Sequence, residues 1–116
     1  MGRLSTHVLD TAQGKPGAGI TIALYRIEGE QARLIKQTRT NQDGRTDEPL
    51  LQDADFQPGV WELVFTVGEY FARSGLDLPE PPFIDRVAIR FGIAADQHYH
   101  VPLLVSPWSY STYRGS

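Results

Sequence analysis

Cysteine is absent from all 116 residues. That absence removes disulfide scaffolds, cysteine-ligated zinc, iron–sulfur clusters and thiol nucleophiles together, and it suits a reducing compartment. A basic surplus is missing too: 11 Lys plus Arg against 14 Asp plus Glu leave a formal net charge of −3. Nucleic-acid binders carry clustered basic residues; here they are scattered without interleaved aromatics, so stacking on bases is not expected. No stretch approaches the roughly 20 apolar residues of a membrane span. The N-terminal segment also lacks the apolar core of about 7–15 residues that marks a signal peptide. A soluble, cytoplasmic protein that engages neither nucleic acid nor membrane is the expectation. The Gly-x-Ser-x-Gly elbow, the phosphate-cradling Gly-x-x-x-x-Gly-Lys loop, Gly-x-Gly-x-x-Gly and His-Glu-x-x-His are all missing. Histidine is scarce: His7, His98 and His100 are the only 3, and theirs are the side chains that titrate near neutral pH without help.

What is present is a soluble-domain composition, 41% hydrophobic and 22% charged. The length fits one domain over residues 1–116, with a core but no deep internal cleft. The dominant period is two, the signature of half-buried strands. Ile20, Ile22 and Leu24 form one apolar row, and Trp61, Leu63, Phe65 and Val67 a second. Val87, Ile89, Phe91 and Ile93 form a third, and Tyr99, Val101, Leu103 and Val105 a fourth, with His98, His100, Pro102 and Leu104 on its opposite face. Weaker strands are expected over 4–9, 33–40 and 109–113. Turn residues punctuate these runs: Gln13–Gly17 bends the chain, Asn41–Gly44 reads as the closure of a hairpin, and Pro58-Gly59 precedes the Trp61 row. Pro79-Glu80-Pro81-Pro82 has to run extended. Thr66 and Glu69 have capping-box spacing and Gly75 sits where a C′ glycine ends a helix, so one short helix is expected over 67–74. About seven strands and one short helix make an all-β β-sandwich.

Three features carry candidate chemistry. His98 and His100, two apart on a strand, project from one face about 6.6 Å apart along it. With His7 they are numerous enough for a three-imidazole zinc site, suitable as acid–base groups, and equally compatible with plain surface roles. Arg45 follows the Asp43-Gly44 turn, either as a solvated charge or as an anion and carbonyl clamp. The last residues, Ser106 to Ser116, keep aromatics and hydroxyls where chain ends are usually uninformative. They read as an edge strand packing Trp108 and Tyr110 at a core rim or subunit interface, or as a contributor of Arg114 and Ser116 to a site.

Three segments together resemble a known family. They are Leu4-Ser5-Thr6-His7-Val8-Leu9-Asp10-Thr11 with Gly14-Lys15-Pro16; Thr40-Asn41-Gln42-Asp43-Gly44-Arg45; and Tyr99-His100-Val101-Pro102-Leu103-Leu104-Val105-Ser106-Pro107 running into Tyr110-Ser111-Thr112-Tyr113-Arg114-Gly115-Ser116. In this order, across essentially the whole chain, they are similar to the 5-hydroxyisourate hydrolases of the transthyretin-related family. The Tyr-Arg-Gly-Ser ending is the most specific part, since it separates these hydrolases from the hormone carrier that shares their fold.

The resemblance implies a transthyretin-like two-sheet β-sandwich of about eight strands with one short helix, assembled as a homotetramer with active sites where two dimers meet. It implies a small-molecule substrate, 5-hydroxyisourate, hydrolysed to 2-oxo-4-hydroxy-4-carboxy-5-ureidoimidazoline in urate breakdown without metal or cofactor. His7, Arg45, His100 and Ser116 are the implied catalytic residues. His7, Arg45, Tyr113, Arg114, Gly115 and Ser116 are the implied substrate contacts, and His98 matches no functional position. The rival from another class is a non-catalytic transthyretin-like module that binds a small apolar ligand. A channel of that kind has no need of two bases and a guanidinium.

Overall fold

The computed structural model describes residues 2–115. The apolar alternation becomes the strands β1 (Arg3–Asp10), β2 (Lys15–Pro16), β3 (Thr21–Glu28), β4 (Gln31–Arg39), β5 (Leu51–Gln52), β6 (Gly59–Phe65), β7 (Val87–Ile93), β8 (His98–Val105) and β9 (Tyr110–Thr112). One α-helix, α1 (Val67–Arg73), lies between β6 and β7, and a 3-10 turn covers Asp53–Asp55. Antiparallel pairing in the order β4-β3-β6-β7 makes one sheet. The order β2-β1-β8-β9 makes the other, with β5 also on β1. The inward rows of both sheets, including Leu4, Val8, Ile22, Leu24, Leu63, Phe65, Val87, Leu103 and Val105, close into one buried cluster. This is the expected two-sheet sandwich. Among the described residues no helix is long and apolar enough to cross a membrane.

The pairing that matters most is parallel. β1 and β8 run side by side with Leu4 opposite Tyr99, Ser5 opposite His100 and His7 opposite Pro102. Because side chains alternate across a strand, Leu4, Thr6, Val8 and Asp10 turn into the core while Ser5 and His7 turn outward. On β8, Tyr99, Val101, Leu103 and Val105 are buried, and His98 and His100 share the outer face. One residue of slip would invert both rows.

The other edge of β1 exposes N–H and C=O groups that need partners. Three short pieces supply them. β2 pairs Leu9 with Pro16 and Asp10 with Lys15, and β5 pairs Arg3 with Gln52 and Leu4 with Leu51. Between them the Val8 N–H donates to the Gly44 carbonyl at 2.8 Å. The Asn41–Gly44 turn therefore does not close a hairpin, contrary to the sequence expectation. The strand before it, β4, pairs only with β3, and the one after it, β5, crosses to the other sheet. The turn itself is as read. The Asn41 Oδ1 accepts the N–H groups of Asp43 (2.9 Å) and Arg45 (3.2 Å), the local bonding that suits Asn to turns. Gly44 has φ 75° and lies so close to the Val8 carbonyl that a Cβ would collide with it.

The helix begins at Val67, so that residue leaves the strand row assigned to it, and Gly75 follows the helix with φ 81°. The capping box is not formed: Thr66 makes no side-chain cap bond. Its role is taken by the Asp85 carbonyl, which accepts the Gly68 N–H at 2.8 Å and satisfies one orphan donor of the first turn. Tyr70 ties the helix to β1. Its hydroxyl donates to the buried Asp10 Oδ2 at 2.7 Å. Asp10 also accepts from the Ala12 and Gln13 N–H groups, both at 3.0 Å, and from the Gln13 amide at 2.7 Å. Burial, first, and the Asp10 carboxylate push the Tyr70 hydroxyl up to about 12. Tyr70→Phe leaves a buried carboxylate short of one donor, and such a loss costs about 1–3 kcal/mol. We expect a lower urea midpoint with an unchanged m-value; an unchanged midpoint contradicts the tie.

Candidate active site

Three elements converge on the outer face of β1 and β8: the two strands and the turn that clads the β1 edge. His7 projects from β1, half-buried, and its Nε2–H donates to the Asp43 carbonyl at 3.0 Å. A carbonyl oxygen only accepts, so Nε2 carries the proton and Nδ1 keeps the lone pair in the neutral ring. Burial and the neighbouring Arg45 charge lower the His7 pKa, against a smaller upward pull from the Asp43 carbonyl and carboxylate. His100 projects from β8, also half-buried, with Nδ1 at 2.8 Å from the Ser5 hydroxyl. Its pKa is lowered by burial first, then by Arg45, His7 and His98. Both imidazoles are thus biased toward the neutral form, as proton acceptors should be.

Arg45 reaches this face because its turn is pinned to Val8. Its guanidinium lies near enough to depress both histidines. Among the described residues the ion pairs are Arg33–Glu28 and Arg90–Glu62, so Arg45 remains available to an incoming carbonyl or anion. A small groove of about 220 Å³ runs beside it, lined by Arg3, Ser5, Arg45, Glu48 and His98 among others.

The C-terminal segment docks on His100. After β9, the Gly115 N–H donates to the His100 carbonyl at 2.7 Å, making an isolated bridge. A Cβ on Gly115 would stand 2.7 Å from the His100 Cδ2, so only glycine lets the tail lie against the ring. Arg114 stacks its guanidinium over the Tyr99 ring, 4.2 Å from the centroid, and donates to the Gln97 Oε1 (3.0 Å) and the His98 carbonyl (3.4 Å). Its side chain holds the tail. Tyr113 is 61% exposed and lines a second concavity with Gln97, His98, Arg114 and Gly115. Ser116 lies outside the described residues. Trp108 and Tyr110 are 56% and 48% exposed, which fits the subunit-interface alternative expected for them rather than the core-rim one.

The three imidazoles do not converge on one point. The His7 Nε2 is spent on a carbonyl, and the Ser5 hydroxyl stands between His100 and His98, 3.2 Å from the His98 Nε2. Among the described residues no three His, Asp or Glu are grouped to hold a metal ion. Sequence reading passed over Ser5 and left His98 peripheral. The signal that links them is the register of β1 on β8, which a single sequence does not display.

Residues 4–115 match the HIUase/Transthyretin family. The chain is 65% identical over 117 residues to a 5-hydroxyisourate hydrolase of Pseudomonas aeruginosa, covering 100% of this chain and 93% of that one. Its structure is similar to that of a Klebsiella pneumoniae 5-hydroxyisourate hydrolase, with a TM-score of 0.82 at 36% identity and 100% of each chain covered. A crystal structure of (S)-allantoin synthase matches with a TM-score of 0.93 at 49% identity over 99% of this chain, which spans 44% of that longer one.

The electrostatics of the face are open to a direct check. The Arg45 charge opposes protonation of both rings, so Arg45→Gln removes that opposition and raises both pKa values. In a proton NMR titration of the wild type, His7 and His100 should titrate below the ordinary histidine value of 6.5. In the variant both midpoints should move up; midpoints that stay put contradict the placement of Arg45.

Proposed function

The chain belongs to the HIUase/Transthyretin family, and from that membership we propose that it hydrolyses 5-hydroxyisourate to 2-oxo-4-hydroxy-4-carboxy-5-ureidoimidazoline. The observation that carries the reading is the meeting of two neutral-biased imidazoles and an available guanidinium on one outer face. The full-length identity to a hydrolase of that name supports it.

The chemistry asks for three things: an activated water, charge stabilisation at the attacked carbonyl, and a proton for the departing ring nitrogen. Water adds to the carbonyl carbon of the six-membered ring and the C–N bond breaks. The bonding pair goes to the nitrogen, which takes a proton and becomes part of the ureido group. Arg45 holds the substrate carbonyls and stabilises the oxyanion through its fork of donors. His7 offers Nδ1 and His100 offers Nε2, because their other nitrogens face Asp43 and Ser5. Between them they take the proton from water and supply the one on nitrogen. The side chains named supply all three requirements, and in this reading no step is assigned to a cofactor or metal. Tyr113 and Gly115 belong to the tail that borders the site, and Arg114 anchors it; Ser116 is assigned to the reaction by the family resemblance alone.

Residues 1–116 act as one domain, and the working unit is a homotetramer with its sites at the dimer–dimer contact. The groove beside Arg45 is smaller than the 300–1,000 Å³ typical of ligand pockets, so a second chain completes the enclosure. Exposed Phe83 (72%), Trp108 (56%) and Tyr113 (61%) supply apolar surface for that contact. The free sides of β7 and β9 offer unpaired backbone. The compartment is the cytoplasm.

The test is the decay of freshly generated 5-hydroxyisourate followed by absorbance, with the uncatalysed rate subtracted. The wild type should accelerate it. His7→Asn and His100→Asn, folded by circular dichroism, should each lower kcat/KM by about 10²–10⁴-fold. Near-wild-type rates in either variant remove that histidine from the reaction, and no acceleration by the wild type leaves the ligand-carrier reading.

A further inference from the structure

The hydrogen bond from His100 does not end at Ser5. Ser5 sits directly opposite His100 in the parallel register, with Arg3 opposite His98 two pairs earlier, and all four side chains share the outer face. The Ser5 Oγ lies 2.8 Å from the His100 Nδ1 and 3.2 Å from the His98 Nε2. His100 is half-buried, while His98 is exposed. A hydroxyl has one proton to give and two lone pairs to accept with, so it can link the rings as a through-connection in which His98 donates to Ser5 and Ser5 donates to His100, or both bonds reverse. A through-connection puts the protons of both rings on the same nitrogen, both on Nε2 or both on Nδ1, whereas two rings donating to Ser5 together would carry them on the His98 Nε2 and the His100 Nδ1.

We propose that Ser5 and His98 are positioning residues that form a reversible proton wire, joining the Nδ1 of His100 to solvent. The inference rests on the hydrolase reading of the site and deepens it. With the wire pointing toward His100, the Nδ1 of that ring accepts from Ser5 and its Nε2 carries a proton for the departing nitrogen. When Nε2 gives that proton up, Nδ1 takes one from Ser5, Ser5 takes one from the His98 Nε2, and the His98 Nδ1 takes one from water. The wire now points outward and the His100 Nε2 has a bare lone pair, ready to accept. Proton uptake at that nitrogen runs the sequence backward and releases a proton at His98. No electrons change hands and each ring stays neutral at the end of each pass.

The reaction gives this wire something to carry. Opening a neutral cyclic amide yields a carboxylic acid and a non-basic ureido nitrogen, so at neutral pH one proton leaves per turnover. Imidazolium at His100 would face the Arg45 charge and His7; at His98 the charge meets water. The groups facing this pair are Arg3 and His7 from β1, Arg45, Asp47 and Glu48 from the turn and the loop after it, and Arg114 from the tail. The groove that His98 lines holds Arg3 and Arg45 beside the carboxylates Asp47 and Glu48, so the outer end of the wire meets charge of both signs and open solvent.

The test uses the full chain with Ser5→Ala, Ser5→Thr and His98→Gln, each checked for an unchanged thermal midpoint. Without substrate, nitrogen-15 imidazole NMR of the neutral rings in the wild type should show His98 and His100 in the same tautomer, both protonated on Nε2 or both on Nδ1. In Ser5→Ala the tautomers of the two rings should no longer be tied to each other. With 5-hydroxyisourate, Ser5→Ala and His98→Gln should lower kcat by at least about tenfold with KM little changed, and Ser5→Thr should restore most of the loss. Opposite tautomers in the wild type, or tautomers that Ser5→Ala leaves unchanged, overturn the wire whatever the substrate turns out to be. So does wild-type kcat in Ser5→Ala. A wild type that leaves 5-hydroxyisourate untouched removes the hydrolase reading instead, and the matched tautomers then stand on their own.

Discussion

The parallel pairing of β1 with β8 is the constraint from which the rest of the site follows. The first strand of the chain and a strand near its end are joined in one register, Ser5 to His100 and His7 to Pro102. Parallel strands require long connections, and here nearly the whole chain is the connection. The pairing is held by what it buries. Leu4, Val8, Leu103 and Val105 are fully enclosed on the inner side, so a shift by one residue would bring their outward neighbours inside. The Thr6 hydroxyl adds a buried bond to the Val101 carbonyl at 2.7 Å. Hydrophobic burial on one face thereby fixes polar geometry on the other, to within the play of side-chain rotamers.

The second partner of β1 completes the site. An exposed strand edge would invite wrong pairing; β2, the Gly44 turn and β5 cover it in sequence. The same hydrogen bond that seats Gly44 on Val8 delivers Arg45 and the Asp43 carbonyl to His7. Structure and chemistry use one contact. The tail repeats the arrangement at the other strand, where Gly115 bonds the His100 backbone and Arg114 grips Tyr99. Both supports depend on glycine at a close approach, where any side chain would meet a carbonyl or an imidazole.

Much of this was legible in the residues themselves. Strict alternation in 87–93 and 99–105 marked β7 and β8, because one face of each had to be dry. Gly75 marked the helix end. Two things were hidden for a physical reason. Partner choice is a property of the folded sandwich, so the Asn41–Gly44 turn reads locally as a hairpin when its β4 and β5 neighbours in fact belong to different sheets. The capping box failed likewise, because the Asp85 carbonyl, remote in sequence, reached the helix start first. Among the site residues, His7, Arg45 and His100 were open candidates on chemistry alone and became site residues through the family resemblance. Ser5, and its link to His98, emerged only when the register of β1 on β8 was known.

In the proposed reaction a small oxidised heterocycle lies on this outer face between Arg45 and the two half-buried imidazoles. A crystal structure with an unreactive analogue of 5-hydroxyisourate is the decisive measurement. The analogue's carbonyls should lie on the Arg45 guanidinium, with the His7 Nδ1 and His100 Nε2 turned toward the ring. An analogue seated instead in the groove between Arg26, Leu34 and Trp61 on the other sheet, with the Arg45 face empty, would contradict it.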